Sequence, residues 1–230
     1  MGNYSSNYDT NYGASAAPAD PVADPWARPT DWLAMPTTAA QQVDLLCAVC
    51  PNVANNIAVV FCTVSSGTYT VDWGDGTIAD YASWANAEHT FDYADLVGSE
   101  CSRGYRQALV KVTPTTAGAT IIGFKWNVHP TGYSFYCPLW LDIQANVPNC
   151  TAFGGYPGSS NSRCGLCERF TVVAMGAATS ANHMFTLMTA CRKFGLPTGF
   201  CSAATDQSYM FYNCYSAQLS EPFPAGFGSV

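Results

Sequence analysis

The chain has 230 residues, enough to bury a core in one or two domains, and nearly half of them are hydrophobic. Only 11% are charged, and 13 Tyr, 12 Phe and 6 Trp make it aromatic-rich, a balance that suits a β-protein surfaced with hydroxyls and amides in place of ion pairs. The net charge of −7 is split between an acidic first hundred residues and a mildly basic remainder without a basic stripe, which excludes nucleic acid as a partner.

The opening MGNYSS has neither the basic region nor the apolar run of a secretory signal. It fits the literal M-G-x-x-x-[ST] acylation pattern through Gly2 and Ser6, but nothing basic follows. No apolar stretch approaches the ~18 residues of a membrane helix, so no membrane insertion is expected.

Residues 1–36 read as an extended N-terminal arm. The polar NYSSNYDTNYG leads into a stretch with Pro18, Pro21, Pro25, Pro29 and Pro36, a density that excludes helix and sheet interior. Trp26, Trp32, Leu33 and Met35 punctuate it, and each gains roughly 2 kcal/mol or more on burial. An arm of this kind lies in a groove, on its own domain or on a neighbour, and these four residues are the candidate assembly contacts.

Residues 37–130 carry short strands at regular intervals. VDLLCAV (43–49) and NIAVVFCT (56–63) are apolar, β-branched runs. Tyr69, Val71 and Trp73 then alternate with Thr70 and Asp72, Gly74-Asp75-Gly76 interrupts, and 77–81 resumes as a partner strand, a strong hairpin signal. AEHTFDY (87–93), QALVKVT (107–113) and ATIIGF (119–124) complete a β-sandwich pattern. Trp73 is placed to plug the core, Asp72 and Asp75 to accept turn amides, and His89 to bond back towards the turn. Read instead as a metal site, the two acids lack the further oxygen ligands that calcium requires.

VDWGDGT, followed by His89-Thr90-Phe91 and then QALVKVT, resembles the PKD family over roughly residues 40–125. The resemblance implies an immunoglobulin-like sandwich serving as a spacer or adhesion module, with no catalysis. Phe91 stands where the family usually has Tyr.

From 131 to 230 the texture changes to Cys, Phe and Gly without charge alternation. CPLWLDI (137–143) and FTVV (170–173) are strand candidates, and the last fifty residues repeat themselves. Asn182-His183-Met184-Phe185 leads to Leu196-Pro197-Thr198-Gly199-Phe200, and Ser208-Tyr209-Met210-Phe211 leads to Phe223-Pro224-Ala225-Gly226-Phe227. Self-similarity at this spacing predicts a short solenoid. Tyr209-Met210-Phe211-Tyr212-Asn213-Cys214 with its following Pro-Ala-Gly resembles the BspA-like class of leucine-rich repeats, which implies surface binding to hosts, matrix or other cells. The apolar finish after the last repeat predicts either a longer chain or a partner or second copy over that end.

The eleven cysteines include two C-x-x-C pairs, Cys47/Cys50 and Cys164/Cys167. The odd count and the apolar setting of the first pair favour buried free thiols; disulfides formed after release and a shared zinc site are the other readings. His89, His129 and His183 have no evident nucleophile beside them, and no acid pair stands out, so no catalytic, metal or cofactor residues are assigned and no cofactor is expected.

ARPTDWLAMP, VDWGDGT, LWLDI and the repeats, taken in that order, make the whole chain similar to virion structural proteins of tailed phages of aquatic bacteria. That resemblance implies a non-enzymatic fibre, decoration or tail-associated adhesion subunit, assembled in the host cytoplasm. Its partners would be its own copies, other virion proteins, and a host-surface glycan or protein. The competing expectation is a cell-surface or extracellular bacterial adhesin built from the same modules.

Overall fold

The computed structural model describes residues 26–51, 56–131, 139–154, 164–176, 178–179, 181–182 and 184–217. Residues 1–25 of the expected arm, Cys137, His183 and the segment carrying Phe223 and Phe227 lie outside the described residues.

The architecture is mainly β. In chain order the strands are β1 (Gln42–Val49), β2 (Ile57–Val64), β3 (Thr68–Asp72), β4 (Ile78–Ala82), β5 (Asn86–Thr90), β6 (Arg106–Pro114), β7 (Ile121–Lys125), β8 (Trp140–Val147), β9 (Ala152–Phe153), β10 (Arg169–Met175) and β11 (Lys193–Gly195), with one short 3-10 helix at Tyr93–Leu96. They form a seven-stranded sheet in the order β11-β10-β8-β1-β6-β3-β4 and a four-stranded sheet in the order β5-β2-β7-β9. Both are mixed: β8-β10-β11 and β7-β9 pair in parallel and the other neighbours antiparallel.

The central strand β1 explains much of this arrangement. Its sequence is apolar on both faces, as a strand covered on both sides must be. Val43, Leu45, Cys47 and Val49 face the main core between the sheets, while Leu46 and Ala48 join a second, smaller cluster on the opposite face. β8 divides in the same way, with Trp140 and Ile143 in the main core and Leu141 in the smaller cluster.

The ladder runs straight across residue 130. β8 pairs antiparallel with β1 (Leu45 opposite Ile143), and β10 and β11 extend the same sheet beyond it. No free-standing solenoid is seen among the described residues. The physical reason is the LWLDI run, which buries Trp140 and Ile143 in the main core and Leu141 and Asp142 beneath residues 26–35.

On either side of β11 in the chain, turns before it bond to turns after it. Phe185 N donates to Met210 O (2.9 Å), Leu187 N to Tyr212 O (2.9 Å), Ala181 N to Asp206 O (2.8 Å) and Thr205 N to Thr179 O (3.0 Å). Phe185 stacks on Phe211 (5.3 Å between ring centroids) and contacts Phe170, Phe194 and Phe200, so an aromatic row continues the sandwich core into this region.

Candidate functional site

Two constellations contain the site residues that the sequence singles out, and they are built separately. The first is the turn after β3. Trp73 is fully buried in the main core, its ring stacked on His89 (5.1 Å, 21° between planes) and edge-on to Phe91. Asp72 accepts from Gly74 N (3.1 Å) and lies 3.8 Å from Lys111 Nζ. Asp75 accepts from Thr77 N through Oδ1 (2.9 Å) and from His89 Nε2 through Oδ2 (2.6 Å). Burial acts to raise the Asp75 pKa, but the Thr77 and His89 hydrogen bonds outweigh it and hold this carboxyl below its ordinary value. Gly74 has φ +79 and its α-carbon faces Leu109: an added Cβ would stand 2.5 Å from Leu109 O, so only glycine fits.

Both oxygens of Asp75 and Oδ1 of Asp72 accept hydrogen bonds that fix the turn. Among the described residues no group of three or more His, Cys, Asp or Glu is arranged to hold a metal ion.

The second constellation gathers the four arm residues. Trp32 is 4% exposed and packs with Leu46, Ala48 and Leu141, while Trp26, Leu33 and Met35 are half-buried around it. The arm therefore lies on its own sheet over this stretch, and polar groups lock it there. Arg28 Nε donates to Asp142 Oδ2 (2.8 Å), and the Arg28 guanidinium also donates to the carbonyls of Trp32 and Leu33. Leu33 N donates to Gln107 Oε1 (2.9 Å), and Gln107 Nε2 donates to Asp31 O (2.9 Å). Trp32 Nε1 donates to the Tyr105 hydroxyl (2.9 Å). The guanidinium carbons of Arg28 and Arg103 lie 5.5 and 5.6 Å from the centre of the Trp32 ring.

Asp142 is the pivot of this cluster. Its side chain is 0% exposed, yet Arg28 and Arg169 both pair with it, Arg169 at 2.7 Å. Two guanidinium groups on one carboxylate supply the hydrogen bonds that make a buried charge tolerable. Beside it Trp26 Nε1 donates to Glu168 Oε2 (3.0 Å), and Glu168 also pairs with Arg103. A cleft of about 480 Å³ opens here, lined by Trp26, Arg103, Glu168, Arg192 and Ser216.

Sequence reasoning passes over Arg28, Gln107, Asp142, Glu168 and Arg169. One signal was present: Asp142 is an acid inside an apolar strand, and a buried carboxylate needs hydrogen-bond donors or a cationic partner. Which arginines answer it depends on the pairing of β8 with β10, which no local pattern encodes.

Several of the buried cysteines are poorly suited to nucleophilic work. Burial pushes the thiols of Cys150 and Cys201 up to about 12 and that of Cys214 to about 11, far from the depressed values of reactive thiols. Burial, followed by hydrogen bonds to Cys164 and Cys191, holds Cys167 well above its ordinary value. Among the described residues no two cysteines are joined by a disulfide. No helix of the described residues is long and apolar enough to cross a membrane.

Comparison of the chain with protein-family models, with curated proteins and with solved structures finds no match.

Proposed function

We propose that this chain is a non-enzymatic structural subunit of a tailed-phage virion, a fibre, decoration or tail-associated adhesion protein that assembles with its own copies and with other virion proteins. In this reading residues 37–130 supply a PKD-like spacer, and the stretch after residue 131 supplies BspA-like units stacked on its edge. The observation that carries the reading is a register. Asp142, Arg169 and Lys193 align on three parallel strands, and the pairs Phe185/Met210 and Leu187/Tyr212 continue the stacking in the turns beyond. A left-handed residue recurs in the same way, at Leu187 (φ 61) and Asn213 (φ 59).

A stack of this kind buries each unit against the next and presents an outer unit for a neighbour to cover. Tyr209, Tyr212 and Tyr215 are exposed on the last described turns, the last of them at 80%. Tyrosine supplies large contact area at low entropic cost and favours interfaces. The cytoplasm of a host cell is the place of assembly and the virion the final location.

Light scattering on the full chain over a wide concentration range tests the assembly step. The measured mass should rise above that of one chain, and substituting Tyr212 and Tyr215 together by Ser should reduce the association. A single-chain mass at every concentration would remove self-assembly from the proposal.

A further inference from the structure

The outer face of the four-stranded sheet carries a feature that neither the turn nor the arm explains. Trp84 sits at the corner between β4 and β5, where the chain passes from one sheet to the other, and its side chain is 71% exposed. Its φ is 72°, a left-handed conformation that bulky residues adopt only where the surroundings enforce it. The enforcement is visible: Trp84 N donates to Cys62 O (3.1 Å), Ala85 N to Ala82 O (3.1 Å), and Ser83 Oγ bonds both the amide (3.0 Å) and the carbonyl (3.2 Å) of Val64. A large aromatic ring is thus held in water, in a strained backbone, by a turn clamped to β2.

Beside it Phe61 is the one incompletely buried residue of β2, and its ring meets the indole edge-on at 6.1 Å and 72°. Lys125, directly opposite Phe61 in register, places Nζ 5.2 Å from the Phe61 ring centre. Thr63, Gly123 and Ala152 form a floor of small residues between these walls. The resulting cleft is about 240 Å³, below the roughly 300 Å³ at which pockets for drug-sized ligands begin, and it is open along one side. Its described lining carries one cation, the hydroxyls of Thr63 and Thr151, and no acid. Burial pulls the Lys125 ammonium below its ordinary pKa.

We infer that this shelf is a glycan-binding site for an acidic saccharide, in which a hexuronate ring stacks on Trp84 against Phe61 and its carboxylate meets Lys125. Flat aromatic walls suit the C–H face of a sugar ring, threonine hydroxyls suit its hydroxyls, and the absence of acid from the described lining suits its charge. The inference deepens the proposed role by naming the class of surface such a subunit would grip.

Calorimetric titration of the full chain with galacturonate, glucuronate and mannuronate oligosaccharides, each beside its neutral methyl ester, tests it. At least one acidic oligosaccharide should bind and its methyl ester should bind more weakly. Trp84→Gly should weaken binding at least about tenfold while the unfolding temperature stays or rises, because glycine relieves the strained φ. Lys125→Met should abolish the preference for acid over ester. Equal binding by the wild type and Trp84→Gly, or no binding of any acidic oligosaccharide at millimolar concentration, overturns the site. So does an effect of Trp84→Gly confined to the oligomer mass, which would assign the shelf to a contact between copies. A protein that binds hexuronate but is missing from virus particles would keep the shelf and lose the virion role; the opposite pair of results would do the reverse.

Discussion

Asp75 shows how a single carboxylate in a turn sets a pH dependence. Its folded-state pKa lies below the ordinary value of 3.8, so its stabilising contribution is complete above that value and is lost as pH falls through the lower folded one. Asp75→Asn should therefore cost about 1–3 kcal/mol near neutral pH, and the gap to wild type should narrow as the pH drops below 3.8. Urea denaturation across that range measures it, and a gap independent of pH would contradict the ion's role. The neighbouring glycines separate conformation from space. Gly74→Ala meets the Leu109 backbone as well as an unfavourable φ and should cost about 3 kcal/mol or more. Gly76, at φ +97, has no atom within 4 Å of an added Cβ, so its alanine variant should lose only about 1–2 kcal/mol. Equal losses at the two positions would place the whole penalty in φ.

Among the elements, β8 joins the parts of the molecule. One face of it enters the main core through Trp140 and Ile143; the other carries Leu141 and Asp142 under the arm. Trp32→Ala should cost about 3–5 kcal/mol and expose residues 26–36 to proteolysis before the sheets open. Asp142→Asn should cost about 3 kcal/mol or more by leaving Arg28 and Arg169 beside an uncharged, buried group. Limited proteolysis with mass analysis of the first cut reads both, and an unchanged cleavage pattern in Trp32→Ala would show that the arm's anchorage lies elsewhere. The strands of residues 42–125 were legible in the sequence because alternation, β-branching and the Asp-Gly turn are local signals. The WGDG turn was legible for the same reason; His89, read as bonding back towards it, meets Asp75 in the structure. β9 and β11, two and three residues long, carry too little sequence to form a pattern, and they exist through pairing with strands already in place. The side-chain hydrogen-bond partners of Asp142 and Trp32 come from sequence separations of 27 to 114 residues, which the chain's local texture does not encode.

For the molecule as a whole, one seven-stranded sheet joins β1, β3, β4 and β6 to β8, β10 and β11 across the point where the composition changes. That change of texture reads as a boundary in the sequence, since strand pairing between distant segments leaves no mark on composition. The arm fills the outer face over Leu46, Ala48 and Leu141, the parallel register continues into the turns beyond β11, and the Trp84 shelf occupies the far sheet. This distribution suits a subunit that docks at one region and grips a surface at another. The most direct measurement is quantitative mass spectrometry of gradient-purified, intact virus particles from the host that carries this gene. The account predicts the chain in those particles at a fixed copy number relative to the major capsid or tail protein. Its absence from particles, together with recovery from the surface of the producing cell, would contradict it.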